Sequence, residues 1–127
     1  MRVIAWAPEL TIGIADMDES HRVMVDAMQH VSQIGDEGFE AAYRNFIACV
    51  ERDFREEEEV MELFPYPDAR THCEHHARTL SALHHSMGQV MQGDIASGRQ
   101  ALALLFQWFT VHIATMDRGL ALARIAP

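Results

Sequence analysis

Residues 39–64, FEAAYRNFIACVERDFREEEEVMELF, carry the clearest fold signal in the chain. Their large apolar side chains recur at steps of three, four and seven, which is the spacing of one face of an α-helix. This stripe consists of Tyr43, Phe46, Val50, Phe54, Met61 and Phe64. Asp53 and Glu57 fall on the same stripe. The pattern therefore predicts a long amphipathic helix that turns two carboxylates towards the core.

The four consecutive glutamates of this helix do not share one environment. Successive residues of an α-helix are turned by ~100°, so Glu56 and Glu58 flank Glu57 and Glu59 lies nearly opposite it. Glu57 is the member of the run aimed at the core. We interpret Glu56, Glu58 and Glu59 as solvated surface charges.

Three further segments have helical patterns. Residues 18–34 follow an N-cap at Asp18 and turn inward His21, Met24, Met28 and Val31. Residues 68–91 follow a cap at Asp68 and carry the stripe His72, Cys73, His76, Leu80, Leu83, Met87 and Val90. The last segment is capped by Ser97, and its apolar run ALALLFQWF is followed by His112. The sequence predicts an all-α fold, an up-down-up-down four-helix bundle with an irregular N-terminal segment.

Composition limits the classes of partner. The net charge is -9 and the ten basic residues are scattered, which argues against binding to nucleic acid or to an anionic membrane surface. No stretch approaches the ~20 apolar residues of a spanning helix, and the N-terminus lacks a signal-peptide pattern. Cys49 and Cys73 form no CxxC pair. We expect one soluble, cytoplasmic domain over residues 1–127, with both thiols reduced.

Polar residues within the apolar stripes indicate a metal site. They come from all four helices, namely His21, Asp53, Glu57, His72, His76 and His112. Burying so many imidazoles and carboxylates is costly unless each has a partner. His72 and His76 have the i, i+4 spacing that lets two imidazoles reach one metal. Nitrogen and oxygen ligands without thiolates suit iron, manganese or zinc, and a set of six favours two metals, with iron as the first choice.

The other histidines do not join this set. His30, His84 and His85 lie off the stripes and are predicted at the surface. His75 is turned by ~100° from His76, so we expect it to be exposed or to support a ligand rather than to be one.

Four motifs connect these residues to a known family. The first is W-x3-L-x2-G-I before D-x2-H, matched by Trp6, Leu10, Gly13, Ile14, Asp18 and His21. The second is a Tyr-Pro turn before two histidines (Tyr66, Pro67, His72, His76), and the third is W-x3-H-I-x3-D (Trp108, His112, Ile113, Asp117). The fourth is H-F-x2-E-E-x2-M, matched by Phe54, Glu57, Glu58 and Met61. In the last motif Asp53 replaces the leading histidine. Over residues 6–117 the chain resembles the bacterial hemerythrins, di-iron, oxygen-binding four-helix bundles.

The resemblance implies two iron ions, joined by an oxo or hydroxo group and by carboxylates. One iron would be held by His72, His76 and His112, and the other by His21 and residue 53. Glu57 and Asp117 would bridge the two. Residues 112 and 117 are turned ~140° apart in a regular α-helix, so the helix must widen locally for both to face one site.

The aspartate at position 53 leaves three possibilities open. Asp53 ligates the second iron directly, acts through a water molecule, or accompanies loss of that iron. Direct ligation would add a negative charge and stabilise ferric over ferrous iron, which predicts faster autoxidation and weaker reversible oxygen storage.

The function implied by the resemblance is oxygen carriage, storage or sensing rather than enzymatic turnover. Dioxygen would bind at the more open iron in a pocket walled by Trp108, Phe109, Met24 and Met28. Two alternatives stay open: a di-iron enzyme with peroxidase, oxidase or nitric-oxide chemistry, and a metal-poor bundle that serves as a sensor or scaffold.

Overall fold

The computed structural model describes residues 4–126 and consists of helices joined by short loops. A short 3-10 turn, Pro8–Leu10, precedes four long helices, α1 (Ala15–Gln33), α2 (Asp36–Glu62), α3 (Ala69–Met91) and α4 (Ile95–His112). A π-helical segment, Ile113–Asp117, then leads into α5 (Arg118–Ile125). The bounds Met1 and Pro127 of the expected domain lie outside the described residues.

The four long helices form a ring. α1 packs on α2, α2 on α3, α3 on α4, and α4 returns to pack on α1. This arrangement confirms the all-α, up-down-up-down bundle. In the described part of the chain, no helix is long and apolar enough to span a membrane.

The predicted stripe of α2 faces the core. Tyr43, Phe46, Val50 and Phe54 are at most 2% exposed, whereas Phe64 is half-buried just beyond the end of the helix. Each fully buried large apolar side chain contributes roughly 1.5–3 kcal/mol by leaving water, so this face fixes the orientation of α2. Asp53 and Glu57 are thereby held inside the bundle.

Hydrogen bonds join the irregular N-terminal segment to the first turn of α1. The Asp18 carboxylate accepts hydrogen bonds from the backbone N–H groups of Ile12 and Gly13, at 2.8 and 3.0 Å. Gly13 has φ +90°, a conformation that favours glycine. The predicted start of the helix is wrong, because α1 begins at Ala15 and Asp18 is already helical. Instead of capping α1, the side chain of Asp18 accepts hydrogen bonds from backbone N–H groups of the preceding loop.

The cap predicted for α4 is also wrong. Asp94 is the N-cap residue, and its Oδ1 accepts a hydrogen bond from the backbone N–H of Ser97 at 3.1 Å. Ser97 Oγ donates to the other oxygen of Asp94 at 2.6 Å, so the two side chains form a reciprocal pair. At α3, Asp68 occupies the predicted cap position, but its side chain makes no capping hydrogen bond within residues 4–126.

Candidate metal centre

The bundle brings together all seven residues that the sequence suggested as ligands. α1 provides His21, α2 provides Asp53 and Glu57, α3 provides His72 and His76, α4 ends with His112, and the π-helical segment ends with Asp117. Each is at most 7% exposed. Five of them, Glu57, His72, His76, His112 and Asp117, each place one possible ligand atom within 4.8 Å of the others, and so do His21, Asp53 and Glu57.

The π-helical segment explains how the last helix supplies two of these residues. In an α-helix, His112 and Asp117 would point ~140° apart. The π-helical hydrogen-bond pattern pairs residues five apart, so five residues make little more than one turn. Asp117 is fully buried, and its Oδ1 lies 3.1 Å from His112 Nε2. The expected widening of the helix is therefore present.

The two central carboxylates each face both sides of the centre. Oε1 of Glu57 lies 3.1 Å from His72 Nε2 and 3.2 Å from His76 Nε2, whereas Oε2 lies 3.3 Å from His21 Nε2. Asp117 repeats this division. Its Oδ1 lies 3.0 Å from His72 Nε2, and its Oδ2 lies 3.0 Å from His21 Nε2. Each carboxylate thus turns one oxygen towards the three histidines and the other towards His21.

Many of these atoms lack hydrogen bonds although they are close together. Within residues 4–126, both oxygens of Asp117 and the Nε2 atoms of His76 and His112 are buried without a hydrogen-bond partner. Buried polar atoms are costly when unpaired, so such a cluster calls for a further ligand. Imidazole nitrogens and carboxylate oxygens that converge in this way fit a divalent or trivalent cation. The residues present therefore fit the iron that the resemblance implies.

Asp53 stands at the His21 side of the centre. One oxygen of Asp53 lies within 4.8 Å of possible ligand atoms of His21 and Glu57, so the three side chains form a group that could hold one metal. Its Oδ2 has no hydrogen-bond partner among the described residues. Burial, together with the nearby charge of Glu57, raises the pKa of Asp53 to about 8.

Neighbouring charges shift the pKa values of the side chains in the centre. Burial opposes a charge on the His21 ring, but the neighbouring carboxylates of Asp117 and Glu57 outweigh it and raise the pKa of His21 to about 10. The same carboxylates raise the pKa of His72 to about 9, again against burial. Burial alone would raise the pKa of Asp117, but close contact with the histidines holds it well below its usual range. The carboxylates of the centre thus favour positive charge at its nitrogen atoms.

Aromatic rings cover the three-histidine side of the centre. The ring of Phe54 stacks on His76 with centroids 3.9 Å apart, and the indole of Trp108 stacks on His112 at 4.4 Å. On the other side, Phe109 meets the His21 ring edge-on at 5.6 Å. Trp108 and Phe109, two of the residues expected to wall an oxygen pocket, therefore contact the histidines.

One glutamate assigned to the surface belongs to the site. Glu58 Oε2 accepts a hydrogen bond from His76 Nδ1 at 2.9 Å, so the prediction that Glu58 is a free surface charge is wrong. Helical phase placed Glu58 at the edge of the buried face, and the closeness of α3 brings His76 to it. A carboxylate on the far nitrogen of an imidazole fixes the orientation of the ring and directs its other nitrogen inward. Glu56 and Glu59 are exposed, as predicted.

The remaining histidines stay outside the centre. His30, His84 and His85 are exposed, as predicted. His75 is half-buried, and its ring centroid lies 6.4 Å from that of His112. Cys49 and Cys73 are free thiols, and Cys73 packs on the small cluster around Met17 and Met61.

Four imidazoles and three carboxylates at the centre of a helical bundle define a histidine–carboxylate metal-binding protein. Comparison with known proteins narrows that class. The family model of the hemerythrin HHE cation binding domain matches residues 12–122. A bacteriohemerythrin of Ralstonia nicotianae is 31% identical over 118 residues, which cover 93% of this chain and 86% of that protein. The chain belongs to the hemerythrin family.

Proposed function

We propose that this protein holds two iron ions and binds dioxygen at them, in oxygen carriage, storage or sensing. The observation that carries the proposal is the division of the carboxylate oxygens. Glu57 and Asp117 each direct one oxygen to His72 and the other to His21, at 3.0–3.3 Å. A carboxylate that faces two sets of nitrogen ligands is suited to bridge two cations. Family membership and the similarity to a bacteriohemerythrin support the same conclusion.

The proposed ligand set follows the geometry. His72, His76 and His112 would hold one iron, His21 and Asp53 the other, and Glu57 and Asp117 would bridge them. We propose direct ligation by Asp53 because its oxygen lies within the same 4.8 Å group as His21 and Glu57. The sequence alone left this open between direct, water-mediated and absent binding.

Two ferrous ions, held by these residues, would supply the redox chemistry that dioxygen binding needs. The protein residues then decide where this happens and what else reaches the site. Phe54 and Trp108 cover two of the three histidines on one side and exclude water there. Glu58 holds the His76 ring in place. The His21 side has fewer nitrogen ligands and is the side on which we expect dioxygen to bind.

The test combines a metal count with optical spectra. We expect about two iron atoms per chain. Air admitted to the colourless reduced protein should produce visible absorption, and removal of oxygen should abolish at least part of it. One iron or fewer per chain, or a spectrum indifferent to air, would contradict the proposal.

A second candidate, an enzyme that reduces peroxide or nitric oxide, is favoured by Asp53. An anionic ligand stabilises the oxidised metal, and Asp53 lines two hollows open to solvent, which allows protons and small molecules to enter. Steady turnover of peroxide or nitric oxide with an external electron donor would favour this candidate over reversible oxygen binding.

A third candidate, a metal-poor scaffold, fits less well, since it would leave the buried ligand atoms without a bonding partner.

We also propose that the whole chain is one hemerythrin-like domain and that it works in the cytoplasm. The family model accounts for most of the length, and both cysteines are free. Free, half-buried thiols are typical of a reducing compartment.

A further inference from the structure

The two sides of the metal centre differ in how they meet solvent. His72, His76 and His112 are at most 3% exposed, and the rings of Phe54 and Trp108 stack on two of them. Asp53 and Glu57 are each 7% exposed, and Asp53 borders two solvent-accessible hollows. The accessible side is therefore the side of Asp53.

Two hollows in the seam between α1 and α2 reach Asp53. The first, of about 80 Å³, also involves α5 and is bounded by Asp16, Ser20, Glu56 and Arg124. The second, of about 220 Å³, lies further along the seam beside Glu19 and Arg52, and it shares Ser20, Asp53 and Glu56 with the first. Since a water molecule occupies ~30 Å³ in the liquid, even the smaller hollow has room for about two.

Asp53 is the residue that connects these hollows with the centre. It is 93% shielded from solvent, lines both hollows, and has a carboxylate oxygen without a hydrogen-bond partner in the described part of the chain. On the inner side it lies with His21 and Glu57. A metal on this side would have one imidazole, the carboxylate of Asp53 and the two shared carboxylates of Glu57 and Asp117. It would thus have one imidazole where the other metal has three, and its Asp53 ligand borders water-sized space in which water can replace protein ligands one at a time.

We infer that the α1–α2 seam is the path by which the metal beside His21 and Asp53 enters and leaves, so that this metal exchanges with solution while the other is retained. The inference rests on the proposed two-metal function. Three buried imidazoles and two carboxylates surround the retained metal. The exchangeable metal loses its last ligands to water within the seam. There the carboxylates of Asp16, Glu19 and Glu56 outnumber the guanidinium groups of Arg52 and Arg124, so the net negative charge attracts a divalent cation.

The walls of the seam offer two substitutions with opposite effects. Ser20 lies between the hollows, so Ser20→Leu narrows both. Arg124 closes one edge of the smaller hollow. Its two terminal guanidinium nitrogens each donate to one carboxylate oxygen of Asp16 at 2.8 Å, which makes a bidentate ion pair. Arg124→Ala opens that edge. Ser32→Leu is the matched control, because Ser32 is on the same helix but twelve residues from Ser20, ~18 Å along the axis.

The experiment follows the loss of ferrous iron to a bipyridine-type chelator in excess, without oxygen. The parent protein should release its iron in two phases of equal amplitude, with rates that differ at least tenfold. Ser20→Leu should slow the fast phase at least fivefold and leave the slow phase unchanged. Arg124→Ala should speed the fast phase at least twofold, and Ser32→Leu should change neither.

The outcomes separate this inference from the proposed function. Two irons released in a single phase, or a fast phase that neither Ser20→Leu nor Arg124→Ala alters, would overturn the inference and leave two-iron binding intact. A protein that binds fewer than two irons would overturn both. If Ser20→Leu fails to fold, the acceleration expected for Arg124→Ala still decides the matter.

Discussion

Replacing Asp53 by histidine should raise the reduction potential of the iron centre. Asp53 is buried and lies with His21 and Glu57 in one group of possible ligands. Burial and the charge of Glu57 raise the pKa of Asp53 to about 8, but a bound cation would reverse that preference and keep the carboxylate ionised. Its negative charge then favours ferric over ferrous iron.

The size of the effect follows from Coulomb's law. At ~4 Å and an effective dielectric constant of ~20, one unit charge interacts with the additional charge of ferric iron by about 4 kcal/mol. Since ~1.4 kcal/mol corresponds to ~59 mV for one electron, the shift is about 170 mV. Asp53→His should therefore raise the potential by on the order of 100–200 mV and slow autoxidation in air.

Potentiometric titration under nitrogen, followed by visible absorption, measures this shift. Asp53→Asn removes the charge with little change in shape, so it should shift the potential in the same direction. Asp26→His, an exposed site on α1, should leave it nearly unchanged. A potential for Asp53→His at or below that of the parent would refute the electrostatic reasoning.

Other parts of the structure make further predictions. Glu58→Ala frees the His76 ring and should weaken metal binding ~10–100-fold in competition with a chelator, whereas Glu59→Ala should have no effect. Gly98→Ala places a Cβ 2.5 Å from the nearest side chain and should cost ~1–3 kcal/mol of unfolding free energy in urea. A metal present at ~100 times its dissociation constant stabilises the folded state by ~2.7 kcal/mol, so its removal should lower the melting temperature. His21, with a pKa of about 10, is protonated at pH 7.5, so metal uptake should release protons and weaken as the pH falls.

Much of the fold and most of the centre follow from helical periodicity. In α2, the three-four-seven spacing that placed Phe54 in the core also placed Asp53 and Glu57 there, and all three are buried. The i, i+4 spacing of His72 and His76 likewise gave two imidazoles on one side of α3. These features are local, because one helix and its buried face determine them.

The features that the sequence patterns did not predict depend on the backbone geometry and on contacts between neighbouring elements. Asp117 was suggested by resemblance to a family, since periodicity points it away from His112 and only the π-helical segment brings it back. Glu58 was assigned to the surface because its own helix leaves it at the edge of the buried face. Its bond to His76 depends on how closely α3 approaches α2, which no pattern within α2 encodes.

Ser97 was mistaken for a cap because Asp94 and Ser97 are both good capping residues, spaced by one turn. The choice depends on where the chain leaves the preceding turn, and Gly93 with φ +96° makes that turn just before Asp94. When two good capping residues lie one turn apart, the backbone geometry rather than the residue type decides which of them caps the helix.

The most direct measurement is anomalous diffraction at the iron edge from crystals of the iron-loaded protein. It should give two peaks on opposite sides of the Glu57 and Asp117 carboxylates. One peak should lie against Nε2 of His72, His76 and His112, and the other between His21 and Asp53. A single peak, or none on the Asp53 side, would contradict the two-metal centre.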